Sequence, residues 1–303
     1  MKILISGGSG FIGKALTKSL LADGHEVVIL TRDPQRAGLG TGVEAVRWDG
    51  RTDAGWGEVV ARVDGIVNLA GANIGSGLWK RKRKAEILDS RVEAGKALTE
   101  AIRNTARRPK VLIQASAVGF YGPRGEEAVT EESGPGSGTL AEVCKAWEAS
   151  TKPVEEMGVR RVVIRTGVVL SAKEGPLPRM LMPFRFFVGG PLGNGKQGFP
   201  WIHPQDEQAA IRFLIENEKA SGVYNLSAPK PLSNADFGRV IAKVMKRPYW
   251  LHVPAFALRF LLGELSTLLL DGQYMLPGRL QEMGFHFRFE TAESALEDLL
   301  KAK

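Results

Sequence analysis

The stretch Ser6-Gly7-Gly8-Ser9-Gly10-Phe11-Ile12-Gly13 follows the apolar run Lys2-Ile3-Leu4-Ile5 and opens a segment, residues 11–21, whose apolar positions recur at helical spacing. A strand, a glycine turn and a helix in that order leave few folds open. The glycine spacing gives each residue a task. Gly7 permits the tight turn out of the strand, Gly10 lets backbone approach a ligand with no Cβ in the way, and Gly13 lets the helix pack closely on the sheet. The helix start offers free N–H groups and the positive end of a dipole, a seat for a pyrophosphate. Ser9, Phe11 and Ile12 complete that seat. Glycines alone are a weak signal; the strand–turn–helix context makes them a dinucleotide-binding one.

The alternation continues. Residues 26–31, 43–48, 65–69, 110–115 and 160–166 are short, apolar and rich in β-branched side chains, with helical stretches at 57–63, 82–103 and 139–157 between the last four. Near-continuous apolar strands belong to a sheet covered on both faces. The pattern predicts an α/β fold, a Rossmann-type doubly wound parallel sheet with right-handed crossovers. Later the composition changes. Residues 176–198 are rich in Pro and Gly, with a helix expected over 178–188. A short 201–203 segment, a helix over 206–217 and a strand over 223–226 follow. Beyond Ser233 helices are expected over 234–245, 255–270, 277–283 and 291–301. The predicted organisation is a cofactor-binding domain, 1–170, to which 200–227 return. A smaller, mainly helical substrate lobe (171–199 and 228–303) lies over the carboxyl edge of the sheet.

The end of the second strand chooses the dinucleotide. An acid there binds ribose hydroxyls and selects NAD(H). This chain has Leu30-Thr31-Arg32-Asp33. Arg32 can pair bidentately with a 2′-phosphate and Thr31 can add a hydroxyl. NADP(H) is therefore expected over NAD(H). The alternative makes Arg32 a solvated loop residue.

Composition narrows the setting. A single cysteine, Cys144, excludes an internal disulfide framework and a cysteine metal cluster, and four scattered histidines have no His-x-x-x-His spacing, so no metal site is expected. The chain opens on a strand without a secretory leader, and its longest apolar stretch, 255–270, is interrupted by Arg259 and Glu264. A cytoplasmic protein with no membrane span is expected. The net charge of +8 favours anionic partners, phosphorylated small molecules as readily as nucleic acid. Lys80-Arg81-Lys82-Arg83-Lys84 reads as a solvated helix start, as a neighbour of a substrate phosphate or as a nucleic-acid surface. No RNA-binding or finger motif accompanies the run, which argues against the last. Nothing in the sequence sets an oligomeric state.

These residues resemble the extended short-chain dehydrogenase/reductase family over nearly the whole chain. Asn68-Leu69-Ala70-Gly71 is similar to its Asn-Ala-Gly signature, and Ser116-Ala117-Val118-Gly119-Phe120-Tyr121-Gly122 to its Ser-x-x-x-Val-Tyr-Gly segment. Trp201-Ile202-His203-Pro204-Gln205-Asp206 resembles the His-Val-x-Asp segment of sugar epimerases. Ile87-Leu88-Asp89-Ser90-Arg91, Cys144-Lys145-Ala146-Trp147-Glu148 and Gly284-Phe285-His286-Phe287 resemble an atypical subgroup, the NAD-dependent epimerase/dehydratase-like "epimerase family proteins", loosely labelled cell-division inhibitor proteins. By that resemblance Asn68, Leu69, Ala70 and Gly71 run under the adenosine and its ribose. Asp49 lies near the adenine, or simply begins a turn.

The resemblance also implies a Tyr-x-x-x-Lys pair, whose tyrosine exchanges the proton while hydride moves and whose lysine lowers the tyrosine pKa. Cys144 and Glu148 stand in those places, and no tyrosine lies between Tyr121 and Tyr224. A carboxylate raises a neighbouring acid's pKa rather than lowering it. Cys144 is then either an acid or nucleophile or a small core residue, and Glu148 can hydrogen-bond ribose hydroxyls. Tyr121 is a substitute proton donor or a pocket wall. Ser116 binds a substrate oxygen or merely ends its strand. Arg165 and His203 meet a substrate phosphate or dock the lobes, and Trp79, Arg91 and Trp147 mark the pocket rim or the core. The expected protein is an NADP(H)-dependent oxidoreductase or nucleotide-sugar epimerase-like enzyme acting on a small molecule, phosphorylated or nucleotide-linked. The alternative is a cofactor-sensing binding protein without turnover.

Overall fold

The structure, a computed structural model, describes residues 1–35 and 42–301. Seven strands form its main sheet: β1 (Lys2–Ser6), β2 (Glu26–Thr31), β3 (Val43–Arg47), β4 (Gly65–Asn68), β5 (Val111–Ala117), β6 (Arg160–Thr166) and β7 (Gly222–Leu226). Their order is β7-β6-β5-β4-β1-β2-β3, and every neighbouring pair is parallel. Strand order reverses between β1 and β4, which opens a crevice at their carboxyl ends, the place where such sheets bind ligands.

Both faces are covered, as the unbroken apolar strands require. Ile3, Ile5, Val27 and Ile29 pack with Leu16 and Leu20 of α1 (Phe11–Ala22) and with Ile211 and Leu214 of a later helix, Pro204–Glu216. Leu4, Val28, Ile66 and Leu112 face the other way, onto Ala94, Leu98 and Ile102 of α2 (Arg81–Asn104). Helix α3 (Thr139–Ser150) lies beside α2, and the Thr99 hydroxyl donates to the Ser150 carbonyl at 3.0 Å.

The second half adds α4 (Leu177–Arg185), α5 (Pro204–Glu216), α6 (Asn234–Met245), α7 (Ala255–Leu262), α8 (Thr267–Leu270), α9 (Gly278–Glu282) and α10 (Ala292–Lys301). Leu177, Leu181 and Phe184 of α4, Phe237 and Ile241 of α6, and Ala295 and Leu296 of α10 share a second core with Trp201. Asp206 on α5 binds this lobe to the sheet layer by accepting the Arg288 and Phe289 N–H groups at 2.8 and 3.0 Å.

Three expected elements differ. Residues 57–63 form a 3-10 helix, Gly57–Arg62, instead of an α-helix. The helix expected to reach 157 stops at Ser150, ahead of Pro153, which has no N–H to continue the ladder. The helix expected over 255–270 breaks at Gly263, whose φ of +55° and ψ of −134° lie outside the helical region. Pairs of two-residue strands also join 168–169 to 201–202, 198–199 to 232–233 and 128–129 to 274–275; they are too short for periodicity to reveal. Among the described residues no helix is long and apolar enough to cross a membrane, and no cluster of three His, Cys, Asp or Glu could hold a metal.

Candidate functional site

Gly7 leaves β1 at φ +75°, a backbone region that favours glycine. A Cβ there would stand 2.7 Å from the Leu69 carbonyl oxygen, so the β1 turn and the β4 tip meet through bare backbone. A Cβ on Gly13 would overlap the Gly7 carbonyl, and only glycine lets α1 begin this close. At Gly10 a Cβ would meet only the Gly7 oxygen, at 3.2 Å. The first turn of α1 has no side-chain cap and no acidic residue. Its N–H groups and dipole are therefore available to an anion, and the cradle fits a pyrophosphate.

A buried polar chain holds the cradle in place. The Ser6 hydroxyl donates to Asn68 Oδ1 at 2.6 Å, and the Asn68 amide donates to Gln114 Oε1 at 2.9 Å. All three are fully buried, which ties the ends of β1, β4 and β5 together. The Leu69 N–H donates to the Ser6 carbonyl at 3.0 Å, so the segment from Leu69 through Ala70 to Gly71 runs off directly beneath the turn. At the end of β2, Thr31 is half-buried and Arg32 exposed. Asp49 begins a turn: it accepts the Arg51 and Thr52 N–H groups at 2.8 and 2.9 Å and the Thr52 hydroxyl at 2.8 Å. Those bonds, led by the Thr52 N–H, hold its pKa below the ordinary carboxylate value.

Cys144 and Glu148 lie one turn apart on α3, near the end of β5. The Ser116 hydroxyl donates to Glu148 Oε1 at 2.7 Å. Arg165, from β6, grips both carboxylate oxygens, Nε to Oε1 at 2.9 Å and Nη2 to Oε2 at 3.0 Å. Its Nη1 donates to the Tyr121 hydroxyl at 3.1 Å, which donates to Asn225 Oδ1 at 2.6 Å. The result is a buried relay, Ser116–Glu148–Arg165–Tyr121–Asn225, across β5, α3, β6 and β7.

The relay engages several of the expected site residues with one another. Tyr121 is fully buried, burial raises its pKa, and its hydroxyl donates to Asn225. The Cys144 thiol is 3% exposed and packs with Phe120, Val129 and Met275. Burial, with Glu148 adding to it, raises the thiol to about 11, so it is neither a ready acid nor a thiolate. Glu148 is engaged by Arg165 and Ser116 before any ribose arrives. Arg165 and His203 dock elements together. His203 stacks on Phe289 at 3.7 Å, accepts the Gln205 N–H at 3.2 Å, and is lowered to about 4 by burial. The 80–84 basic run starts α2, with Lys84 paired to Glu264 at 2.8 Å and Arg83 to Glu86 at 2.7 Å. Trp79 is buried, its indole donating to the Ile74 carbonyl at 2.9 Å.

The model of the NAD dependent epimerase/dehydratase family matches residues 3–227. The chain belongs to that family. A domain of unknown function, DUF1731, matches residues 253–299 of this epimerase-family chain. Epimerase family protein YfhF of Bacillus subtilis is 40% identical over 301 residues, covering 99% of this chain and 98% of that protein. The crystal structure of human epimerase family protein SDR39U1 (isoform 2) with NADPH superposes at a TM-score of 0.91, with 33% identity and full coverage of both chains. A nucleoside-diphosphate sugar epimerase from Corynebacterium glutamicum matches at a TM-score of 0.79 and 32% identity, covering 99% of this chain and 58% of that one.

Sequence reasoning missed two groups near this epimerase-family cleft. Gln114 closes the polar chain under the turn, but a lone amide in an apolar strand gives no signal of its partners. Glu207 on α5 is 1% exposed; Oε1 accepts the Thr166 hydroxyl at 3.0 Å and Oε2 has no partner. It lines a narrow crevice with Phe11 and Ile12 of α1 and Val169, and burial raises it to about 8. Nothing in its neighbours along the chain distinguishes it from a solvated helical glutamate.

Proposed function

We propose that this chain is an NADP(H)-binding, short-chain dehydrogenase/reductase-like protein that prefers NADP(H) to NAD(H). Its chemistry is that of an oxidoreductase or nucleotide-sugar epimerase-like enzyme acting on small phosphorylated or nucleotide-linked molecules. The observation that carries the reading is the uncapped start of α1 above a turn of bare backbone at Gly7, Gly10 and Gly13. In this reading Ser9 to Gly13 seat the pyrophosphate, Asn68 to Gly71 run along the adenosine, and Asp49 stands by the adenine. Arg32 takes the 2′-phosphate with help from Thr31. The human relative crystallised with NADPH and the sugar-nucleotide epimerase from Corynebacterium support both halves of the proposal.

A bound nicotinamide supplies reversible hydride transfer. The chain's own contribution is orientation. Ser116 is the group left to hydrogen-bond a substrate oxygen, because its hydroxyl retains acceptor capacity while it donates to Glu148. Proton exchange through Cys144 would need the thiol and Glu148 rearranged. That requirement favours a second reading, a cofactor-sensing protein without turnover.

The test is a titration of NADPH and NADH into the wild type and Arg32→Ala. The wild type should prefer NADPH by at least about tenfold, which is about 1.4 kcal/mol, and the variant should lose the preference. A wild type that binds neither dinucleotide refutes the proposal; a variant that keeps the preference refutes the role of Arg32. Oxidation of NADPH with any of a panel of carbonyl compounds separates the enzyme from the sensor.

A further inference from the structure

Arg91, on α2, is a guanidinium without a counter-charge among the described residues. Its Nη1 donates to the Ala72 and Ile87 carbonyls at 3.1 and 2.9 Å, and the group lies 4.9 Å over the Trp147 ring. Among the described residues no carboxylate pairs with it, and its titratable neighbours are the Cys144 thiol and another cation, Arg83. Burial lowers its pKa to about 10. Arg165, by contrast, is buried against Glu148. Arg91 is half-buried, and its two unbonded nitrogens are not sealed in the core, so a guanidinium with donors to spare stands where an anion brought by a ligand can reach it.

The position says which anion. A Cβ on Gly71 would stand 2.9 Å from Arg91 Cζ, so glycine leaves room for the guanidinium at the β4 tip. Two residues earlier, Leu69 meets the Gly7 turn through backbone, and the Ala70 nitrogen lies 3.0 Å from where a Gly7 Cβ would be. Arg91 therefore stands across the β4 tip from the amino end of α1. Its Nε and Nη2 make no hydrogen bond to the described residues, and Trp147 supports the flat of the group.

We propose that Arg91 is a second anion anchor for the dinucleotide, pairing with a diphosphate oxygen opposite the start of α1. This rests on the dinucleotide site proposed above. It divides the work between two arginines: Arg32 reads the 2′-phosphate that only NADP(H) carries, and Arg91 holds the diphosphate that both dinucleotides share.

Calorimetric titration of NADPH, NADH and 2′-AMP into the full chain tests it. Arg91→Gln should weaken NADPH and NADH alike by about tenfold or more. It should leave 2′-AMP, which has no diphosphate, unchanged. Arg32→Ala should weaken NADPH and 2′-AMP and spare NADH. Unchanged NADPH and NADH affinities in Arg91→Gln, with or without a lowered melting temperature, overturn the proposal and leave the dinucleotide site standing. A loss confined to NADPH and 2′-AMP overturns it too, because it assigns Arg91 to the 2′-phosphate. Failure of the wild type to bind either dinucleotide overturns the site itself. If Arg91→Gln does not fold, Arg91→Lys decides. A point charge without the planar fork should weaken both dinucleotides severalfold, and unchanged affinities again overturn the proposal.

Discussion

Replacing Glu207 with glutamine should stabilise the protein, increasingly so as pH rises. Glu207 is buried, with one oxygen bonded to the Thr166 hydroxyl and the other unpartnered, and burial raises its pKa from 4.5 to about 8. Between those values the folded chain keeps the proton and the unfolded chain has released it, so this group makes stability fall as pH rises. The slope is about 1.4 kcal/mol per pH unit. The accumulated cost is about 3 kcal/mol at pH 7 and about 4 kcal/mol at pH 8, and it levels off near about 5 kcal/mol above about pH 9. Glutamine keeps an oxygen for Thr166 and has no charge to acquire. Urea unfolding of wild type and Glu207→Gln at about pH 5.5, 7 and 8.5 should show a difference that widens and then levels off. Two parallel curves, or a variant that is the weaker protein at the alkaline end, would refute the reasoning.

Glu148→Ala should cost about 3–5 kcal/mol, because it leaves Arg165 buried without its carboxylate; a melting temperature near that of wild type would contradict the relay. Iodoacetamide at about pH 8 should modify Cys144 only as fast as the chain opens, since the thiol is 3% exposed and raised to about 11. Rapid alkylation of the folded protein, followed by mass spectrometry, would restore Cys144 as a reactive group.

The sheet and the glycine turn were legible because their determinants are local. Strand 160–166 and helix 234–245 fall where spacing places them. The turn at Gly7 to Gly13 is legible because backbone freedom and helix polarity belong to adjacent residues. The corner around Glu148 was not, because its meaning lies in contacts between distant positions. The replacement of lysine by Glu148 is visible in the sequence; that Arg165, 17 residues away, answers it is not. Tyr121 and Asn225 meet across 104 residues, and nothing near Tyr121 announces the bond. The break at Gly263 was missed because apolar spacing runs on through it, and a single helical glycine costs only about 1 kcal/mol.

The lobe's interior is woven from stretches on both sides of β7, since α4 comes before that strand and α6 and α10 after it. The 253–299 segment is thus a clasp whose inner face is completed by residues that lie before it in the chain. Cutting the chain ahead of it would take α10 away from α6, against which it packs, and leave the Asp206 carboxylate without the two N–H groups it accepts. A side chain changed on α6 is therefore felt on both sides of β7, by α4 before that strand and by α10 after it.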